Sequence, residues 1–178
     1  SSEAKNVLNH PFDYVIGSLH KLGNIDLGWI QFTESNAGYI GDTYYHCLEE
    51  LAKNGEYDCI GHLDYYKKHC ARAGLSDRFE HYRPIIKNIL MHIIERGKGI
   101  EVNTACMGVL IEETMPDLPI LELYRELGGS IITVGSDAHT PDRIGYGFEQ
   151  ARKKLLKAGF TQITVYEKRV PRQISLAE

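Results

Sequence analysis

Ser130-Ile131-Ile132-Thr133-Val134-Gly135-Ser136-Asp137-Ala138-His139 reads as a buried strand that runs into a carboxylate and an imidazole two residues apart. Side chains at i and i+2 share one face of a strand, so Asp137 and His139 converge if strand geometry persists through them. Carboxylate oxygen with imidazole nitrogen suits Zn²⁺, Mn²⁺ or Fe²⁺ better than a metal that prefers soft thiolates. Upstream, apolar runs end in the same way at His20 and at His62. Three strand endings that carry ligand-type residues point to a metal-dependent hydrolase site.

The rest of the chain alternates around that strand. Phe12 to Gly17 is a short strand candidate that ends at Ser18-Leu19-His20. Residues 21–42, rich in Gly, Asn and aromatic side chains, read as a long loop over a face, and structureless connections of that length are usually functional. Thr43 to Asn54 has helical spacing at Tyr44, Leu48 and Leu51, and Asn54-Gly55 ends it. Tyr57 to Gly61 is the next strand, delivering His62 and Asp64, and a loop with Gly74 follows. Tyr82 to Ile94 is strongly amphipathic and is stopped by Gly97 and Gly99. Ile100 to Asn103 is a strand, Asp117 to Leu127 a helix, Asp142 to Ala158 another helix with Gly159 at its end, and Thr161 to Tyr166 a last strand. Strand–helix alternation predicts an α/β fold built of βα units around a parallel sheet. Such sheets and barrels present functional residues at the C-terminal ends of their strands. No repeat or linker interrupts the pattern, so residues 1–178 read as one domain.

Composition narrows the function classes. The chain has 178 residues, 43% of them apolar, and a formal charge of −4 from 20 basic and 24 acidic side chains without a basic block. That is an ordinary globular composition with no nucleic-acid footprint. No apolar run is long enough to cross a bilayer. Cys47, Cys59, Cys70 and Cys106 show no CxxC spacing and, with no signal peptide in the sequence, read as reduced thiols of a cytoplasmic protein. The opening Ser1-Ser2-Glu3-Ala4-Lys5 lacks an initiator methionine and flows into a helix-like stretch. Phosphate-binding glycine motifs and the GxSxG nucleophile elbow are absent.

The candidate site gathers His20, His62, Asp137 and His139 as metal ligands, with an open position for water. His10, His46, His69, His81 and His92 fall in helices or loops and read as surface or capping residues, His69 being the closest to the site because it follows the His62 loop. Glu101 and Asn103 share a strand face. Glu101 could ligate, form a buried ion pair or, the preferred reading, orient a ligand from behind. Asp64 could orient an imidazole or carry a proton, or simply cap a loop. Arg143, in Thr140-Pro141-Asp142-Arg143, could pair with phosphate through its planar fork or project into solvent. Lys21 and Lys67 are weaker anion-binding candidates. Cys106, the only thiol near the proposed face, leaves a Cys–His nucleophile as a minor alternative.

Taken together, DYVIGSLH (Asp13 to His20), IGHLDYYKKH (Ile60 to His69), EVNTA (Glu101 to Ala105) and VGSDAHTPDRIGYGFEQA (Val134 to Ala151) resemble histidinol-phosphate phosphatases of the polymerase-and-histidinol-phosphatase (PHP) type. The tail from Gly159-Phe160 to Tyr166 and Arg169 fits the same pattern. The resemblance spans nearly the whole chain and implies a distorted TIM-like (β/α)₇ barrel. It also implies a trinuclear metal centre, hence two to three divalent transition-metal ions (Zn, Mn or Fe), and hydrolysis of L-histidinol phosphate to L-histidinol and phosphate in histidine biosynthesis. His20 matches the histidine of the GSxH motif, His62 that of the GHxD motif, and Asp137 and His139 the closing Asp-x-His pair. With the residue readings above, the expected catalytic set is Asp64, His62 and Asp137; Arg143, Asn103 and Lys21 are expected to bind substrate, and Glu101 to support the ligands.

Two departures stand against the family pattern. The first-strand His-x-His pair and a further ligand glutamate are missing, so the sequence looks like the C-terminal two thirds of a barrel, with a complementary segment or partner chain expected. After Asn103 the family has Gly-Leu-Arg, whereas Cys106-Met107-Gly108 stands here, so phosphate must be held by Arg143, metals or another group. Competing readings are a PHP-type enzyme for a different phosphomonoester or phosphodiester, and a non-catalytic fragment serving as a binding or scaffold protein.

Overall fold

The computed structural model describes residues 9–177, so the helix-like stretch read at the start of the sequence lies outside the described residues. Four strands, β1 (Ile16–Gly17), β4 (Cys59–Ile60), β5 (Gly99–Asn103) and β6 (Ile132–Gly135), form a parallel sheet in that order. Parallel neighbours require crossovers, and helices supply them: α1 (Ala37–Asn54) before β4, α2 (Tyr66–Arg72) and α3 (Phe79–Glu95) before β5, and α4 (Leu118–Glu126) before β6. After α5 (Phe148–Lys157) the chain ends in an antiparallel hairpin, β7 (Gln162–Glu167) with β8 (Val170–Ser175). The segment between β1 and α1 folds a two-residue ribbon, β2 (Lys21–Leu22) with β3 (Ile25–Asp26), and a 3₁₀ turn at Leu27–Trp29. Among the described residues no helix is long and apolar enough to cross a membrane.

The sheet curls. Tyr14, just before β1, shares a 2.8 Å hydrogen bond with Thr133 in β6, although those strands are the two ends of the sheet. The hairpin completes the approach: Ile132 N–H donates to Thr164 Oγ1 (3.2 Å) on one side, while the hairpin turn donates from Lys168 N–H to Asp13 Oδ1 (2.9 Å) and from Arg169 N–H to the Asp13 carbonyl (3.0 Å). This curvature and the parallel strands fit the expected TIM-like architecture, and no ladder joins β6 to β1 among the described residues.

Several elements differ from the sequence expectation, each for a physical reason. Helix α1 begins at Ala37 rather than Thr43 because its two early glycines serve packing, not a loop. A Cβ at Gly41 would sit 2.2 Å from the Tyr82 hydroxyl on α3, so only glycine lets the two helices approach. Helix α2 replaces the expected loop. Its aromatic side faces the core, where Tyr66 is fully buried and donates to the Ala37 carbonyl at 2.7 Å. The helix expected from Asp142 splits into a 3₁₀ turn at Pro141–Arg143 and α5, with Gly145 and Gly147 at positive φ between them. Strand β8 was not expected, because the turn joining it to β7 is Lys168-Arg169 (φ 51° and 66°) instead of an Asn-Gly pair.

Asp117, just before α4, binds Lys154 of α5 and lies 3.3 Å from Lys67 of α2, joining three helices. Burial pushes its carboxyl up, but the hydrogen bond from Lys154 and the charge of Lys67 outweigh it and hold the group below the usual carboxylate range. A depressed folded value gives stability that is complete above the unfolded value of about 4 and is lost as pH falls through the folded one. Urea unfolding of Asp117→Asn should therefore show a shallower loss of stability below about pH 4 than the parent. Parallel acid slopes would contradict the assignment.

Candidate active site at the strand exits

Because the four sheet strands are parallel, the segments after β1, β4, β5 and β6 lie at one end of the sheet. His62 leaves β4 with φ 28°, a left-handed turn that ends the strand's alternation. Its ring packs on His20, centroids 4.9 Å apart, with the two Nε2 atoms 2.9 Å apart. Tyr65 lies against both rings, 5.2 Å from His20 and 4.7 Å from His62. Burial, then the neighbouring His20, lowers the His62 pKa to about 4, while the charge of Asp137 opposes the shift. His62 is therefore a neutral imidazole at ordinary pH. Its Nδ1 is buried without a hydrogen-bond partner.

Glu101 supports this pair from beneath. Its Oε2 accepts from the His62 backbone N–H (3.3 Å) and from Asn103 Nδ2 (3.4 Å). The carboxylate reaches that position only because residue 135 is glycine: a Cβ there would stand 2.2 Å from Glu101 Oε1. Burial raises the Glu101 pKa and its hydrogen bonds oppose the rise. Glu101 thus lies beneath the His62 backbone, beside Asn103.

Asp137 and His139 do converge, but by a different route. Strand β6 stops at Gly135, and Asp137 turns with φ 46°, so the pair meets across a loop, Oδ1 to Nε2 3.7 Å. Both are exposed and line a cavity of about 260 Å³ together with Lys68, Arg72 and Arg143. Arg143 is fixed there, its Nη2 donating to the carbonyls of Met107 (2.9 Å) and Ala105 (3.3 Å) while its guanidinium stacks 3.5 Å from the Tyr146 ring centre. Sequence reasoning missed Lys68 and Arg72 because it missed α2; the four-residue spacing that puts them on one helix face was the available signal. An arginine at position 108 would be strained, since Gly108 has φ 68°, and its Cβ would displace the Tyr146 hydroxyl, 2.3 Å away.

Three expected residues lie elsewhere. Asp64 is buried on the other side of α2, lining a cavity with Tyr45, Lys67 and Asp117, because the turn at His62 breaks the parity that would have set it beside the imidazole. Burial lifts its pKa to about 7. Asn103 uses both ends of its amide internally, donating to Glu101 and accepting from Ala105 N–H at 3.0 Å, so it holds the loop after β5 instead of lining the cavity. Lys21 is exposed on the small ribbon, opposite Asp26. Cys106 is buried and burial raises its thiol pKa, which removes the basis for a thiolate nucleophile.

The donors suit a divalent metal in kind: neutral imidazoles, a carboxylate, and an orphaned buried nitrogen on His62. Two imidazole nitrogens on one tetrahedral ion sit roughly 3.3 Å apart, a few tenths of an ångström more than the His20–His62 separation. The four ligands expected as a single cluster stand as two pairs, and among the described residues no group of three or more His, Cys, Asp and Glu side chains gathers to hold an ion.

The family model described as PHP domain matches residues 2–105. A probable histidinol-phosphatase of Clostridium acetobutylicum is 31% identical over 164 residues, covering 90% of this chain and 63% of that protein. The histidinol-phosphatase of Lactococcus lactis is 30% identical over 162 residues, covering 88% and 59%. The chain thus spans about three fifths of the length of these curated relatives. Among solved structures, histidinol phosphate phosphatase (HisK) of L. lactis, complexed with Zn, L-histidinol and phosphate, superposes with a TM-score of 0.80 at 27% identity, covering 96% of this chain and 66% of that one.

Proposed function

The chain belongs to the PHP domain family, and on that premise we propose that it carries strand-exit residues of a metal-dependent phosphatase acting on L-histidinol phosphate. The observation that supports this most is the likeness, across nearly the whole chain, to an enzyme complexed with zinc, L-histidinol and phosphate. In this reading His20, His62, Asp137 and His139 hold two to three divalent ions, Zn, Mn or Fe. When bound, such ions polarise phosphoryl oxygens and lower the pKa of a bound water from about 15.7 toward 7.

The chain's own residues do the rest. Low basicity keeps the His62 imidazole unprotonated and ready to donate a lone pair. Glu101 fixes the backbone at His62 and so the aim of its ring. Lys68, Arg72 and Arg143 surround the cavity beside Asp137 and His139 with positive charge, where a phosphate dianion can be held and its equatorial oxygens neutralised. The chemistry lies on this side of α2. Asp64, facing the opposite cavity, takes no part in it.

Phosphate release by the full-length protein from L-histidinol phosphate, glycerol 1-phosphate and p-nitrophenyl phosphate tests the reading. L-Histidinol phosphate should be preferred by at least about tenfold in kcat/KM. Chelation should abolish release, and Zn²⁺ or Mn²⁺ should restore it. Release that survives complete metal removal, or a purified protein that holds almost no metal, would end the proposal.

A further inference from the structure

Lys68 and Arg72 reach the cavity beside Asp137 and His139 from helix α2, whereas Arg143 reaches it from a three-residue 3₁₀ turn. A long side chain on so short an element loses much rotamer freedom when it is fixed, and the fixing contacts must offset that loss. Two kinds of contact do so. Nη2 donates to the carbonyls of Met107 and Ala105, and the guanidinium carbon lies 3.5 Å from the centre of the Tyr146 ring. The two carbonyl bonds use both N–H groups of Nη2. Nε–H and the two Nη1–H groups remain, with no protein acceptor among the described residues.

Tyr146 is itself held from both sides. Thr104 Oγ1 donates to the Tyr146 carbonyl (2.6 Å), the Tyr146 N–H donates to the Arg143 carbonyl (3.1 Å), and Gly145 N–H donates to Ser136 Oγ (3.2 Å). The ring reaches its place because residue 108, opposite its hydroxyl, has no side chain. The stack therefore joins two strand exits: the loop after β5 supplies the carbonyls and the room, and the loop after β6 supplies the arginine and the ring. Tyr146 does not line the cavity. Its influence on an anion there has to pass through Arg143.

We propose that Tyr146 is a positioning residue: its ring face holds the Arg143 guanidinium at the cavity wall, so that the unused N–H groups and the positive charge meet an incoming phosphate dianion. The inference rests on the phosphatase reading only for the presence of an anion in that cavity. An aromatic face attracts a guanidinium through its quadrupole without consuming a single N–H donor. A carboxylate in the same place would hold the arginine as firmly, but would occupy donors and cancel the charge that the anion needs.

Calorimetric titration of the full-length protein with inorganic phosphate tests this, using Tyr146→Leu, Tyr146→Phe, Arg143→Met and the double variant Tyr146→Leu with Arg143→Met. Leucine keeps an apolar side chain and removes the ring face; phenylalanine keeps the face. Tyr146→Leu should weaken phosphate binding about three- to tenfold, whereas Tyr146→Phe should stay within about twofold of the parent affinity. Arg143→Met should weaken it by about tenfold or more. In the double variant, loss of the ring should add less than about twofold to loss of the arginine, because a positioning residue has nothing left to position. A tyrosine that only shaped the loop would weaken binding equally with or without Arg143. Unchanged affinity in Tyr146→Leu, an equal loss in Tyr146→Phe, or losses that multiply in the double variant overturn the assignment. So does Arg143→Met with the parent affinity, or a parent protein that binds no phosphate. Binding is read without turnover. A protein that holds phosphate in this way but releases none from L-histidinol phosphate would refute the phosphatase reading and leave the role of Tyr146 standing.

Discussion

Replacing His62 by Asn is expected to lower kcat/KM for phosphomonoester hydrolysis by about 10²–10³-fold while leaving the melting temperature nearly unchanged. Asn is the informative choice because His62 has φ 28°, on the left-handed side where most side chains are strained and Asn is among the tolerant ones. An alanine would add a backbone cost to the chemical one and blur the result. Asn also keeps the backbone N–H that binds Glu101, so the support beneath the site survives. What disappears is the imidazole whose Nε2 faces His20 at 2.9 Å and whose Nδ1 is orphaned. If His62 is a metal ligand, the variant should also hold less metal after dialysis, and added Zn²⁺ or Mn²⁺ should restore part of the rate. Activity within about fivefold of the parent would remove His62 from the chemistry.

The same residue shows how far the sequence could be read. The strand runs before His62 and Asp137 were visible because parallel, doubly covered strands are continuous apolar runs. The parallel order followed from their alternation with helices. The side-chain directions beyond each strand were not visible. Parity predicts that Asp64 joins His62 and that Asp137 joins His139, and it applies only while the backbone stays extended. At 62 and at 137 the backbone turns left-handed, so Asp64 is carried to the opposite cavity while Asp137 still reaches His139 across its loop. Helix α2 was hidden for another reason. It has only seven residues, and Tyr66, His69 and Cys70 face inward where apolar aliphatic residues would give a clear period. With the helix went its consequences, the cations Lys68 and Arg72 over the cavity beside Asp137 and His139 and the buried edge of His69.

The curl that brings the strand exits together is fastened in part by one buried acid, and its removal should have the largest effect on stability. Asp58, 4% exposed, precedes β4 and accepts from Val15 N–H at 2.9 Å, fastening the segment that leads into β1. Arg169 from the β7–β8 turn approaches it to 2.5 Å and Lys98, before β5, to 3.9 Å. One carboxylate therefore ties together the starts of three parallel strands and the hairpin that follows the last of them. Breaking a buried pair by removing one partner costs about 3–5 kcal/mol. Here both cations retain some access to water, which places Asp58→Ala near the lower bound, at about 3 kcal/mol. For a domain of this size that is a fall in melting temperature of roughly 6–12 °C. Asp58→Asn keeps an acceptor for Val15 N–H and loses only the charge, so its cost should be about half as large. Because the lost ties lie at the strand starts, opposite the exits, the folded fraction of either variant should keep its affinity for inorganic phosphate. A melting temperature unchanged by Asp58→Ala would show that the curled sheet holds without this carboxylate.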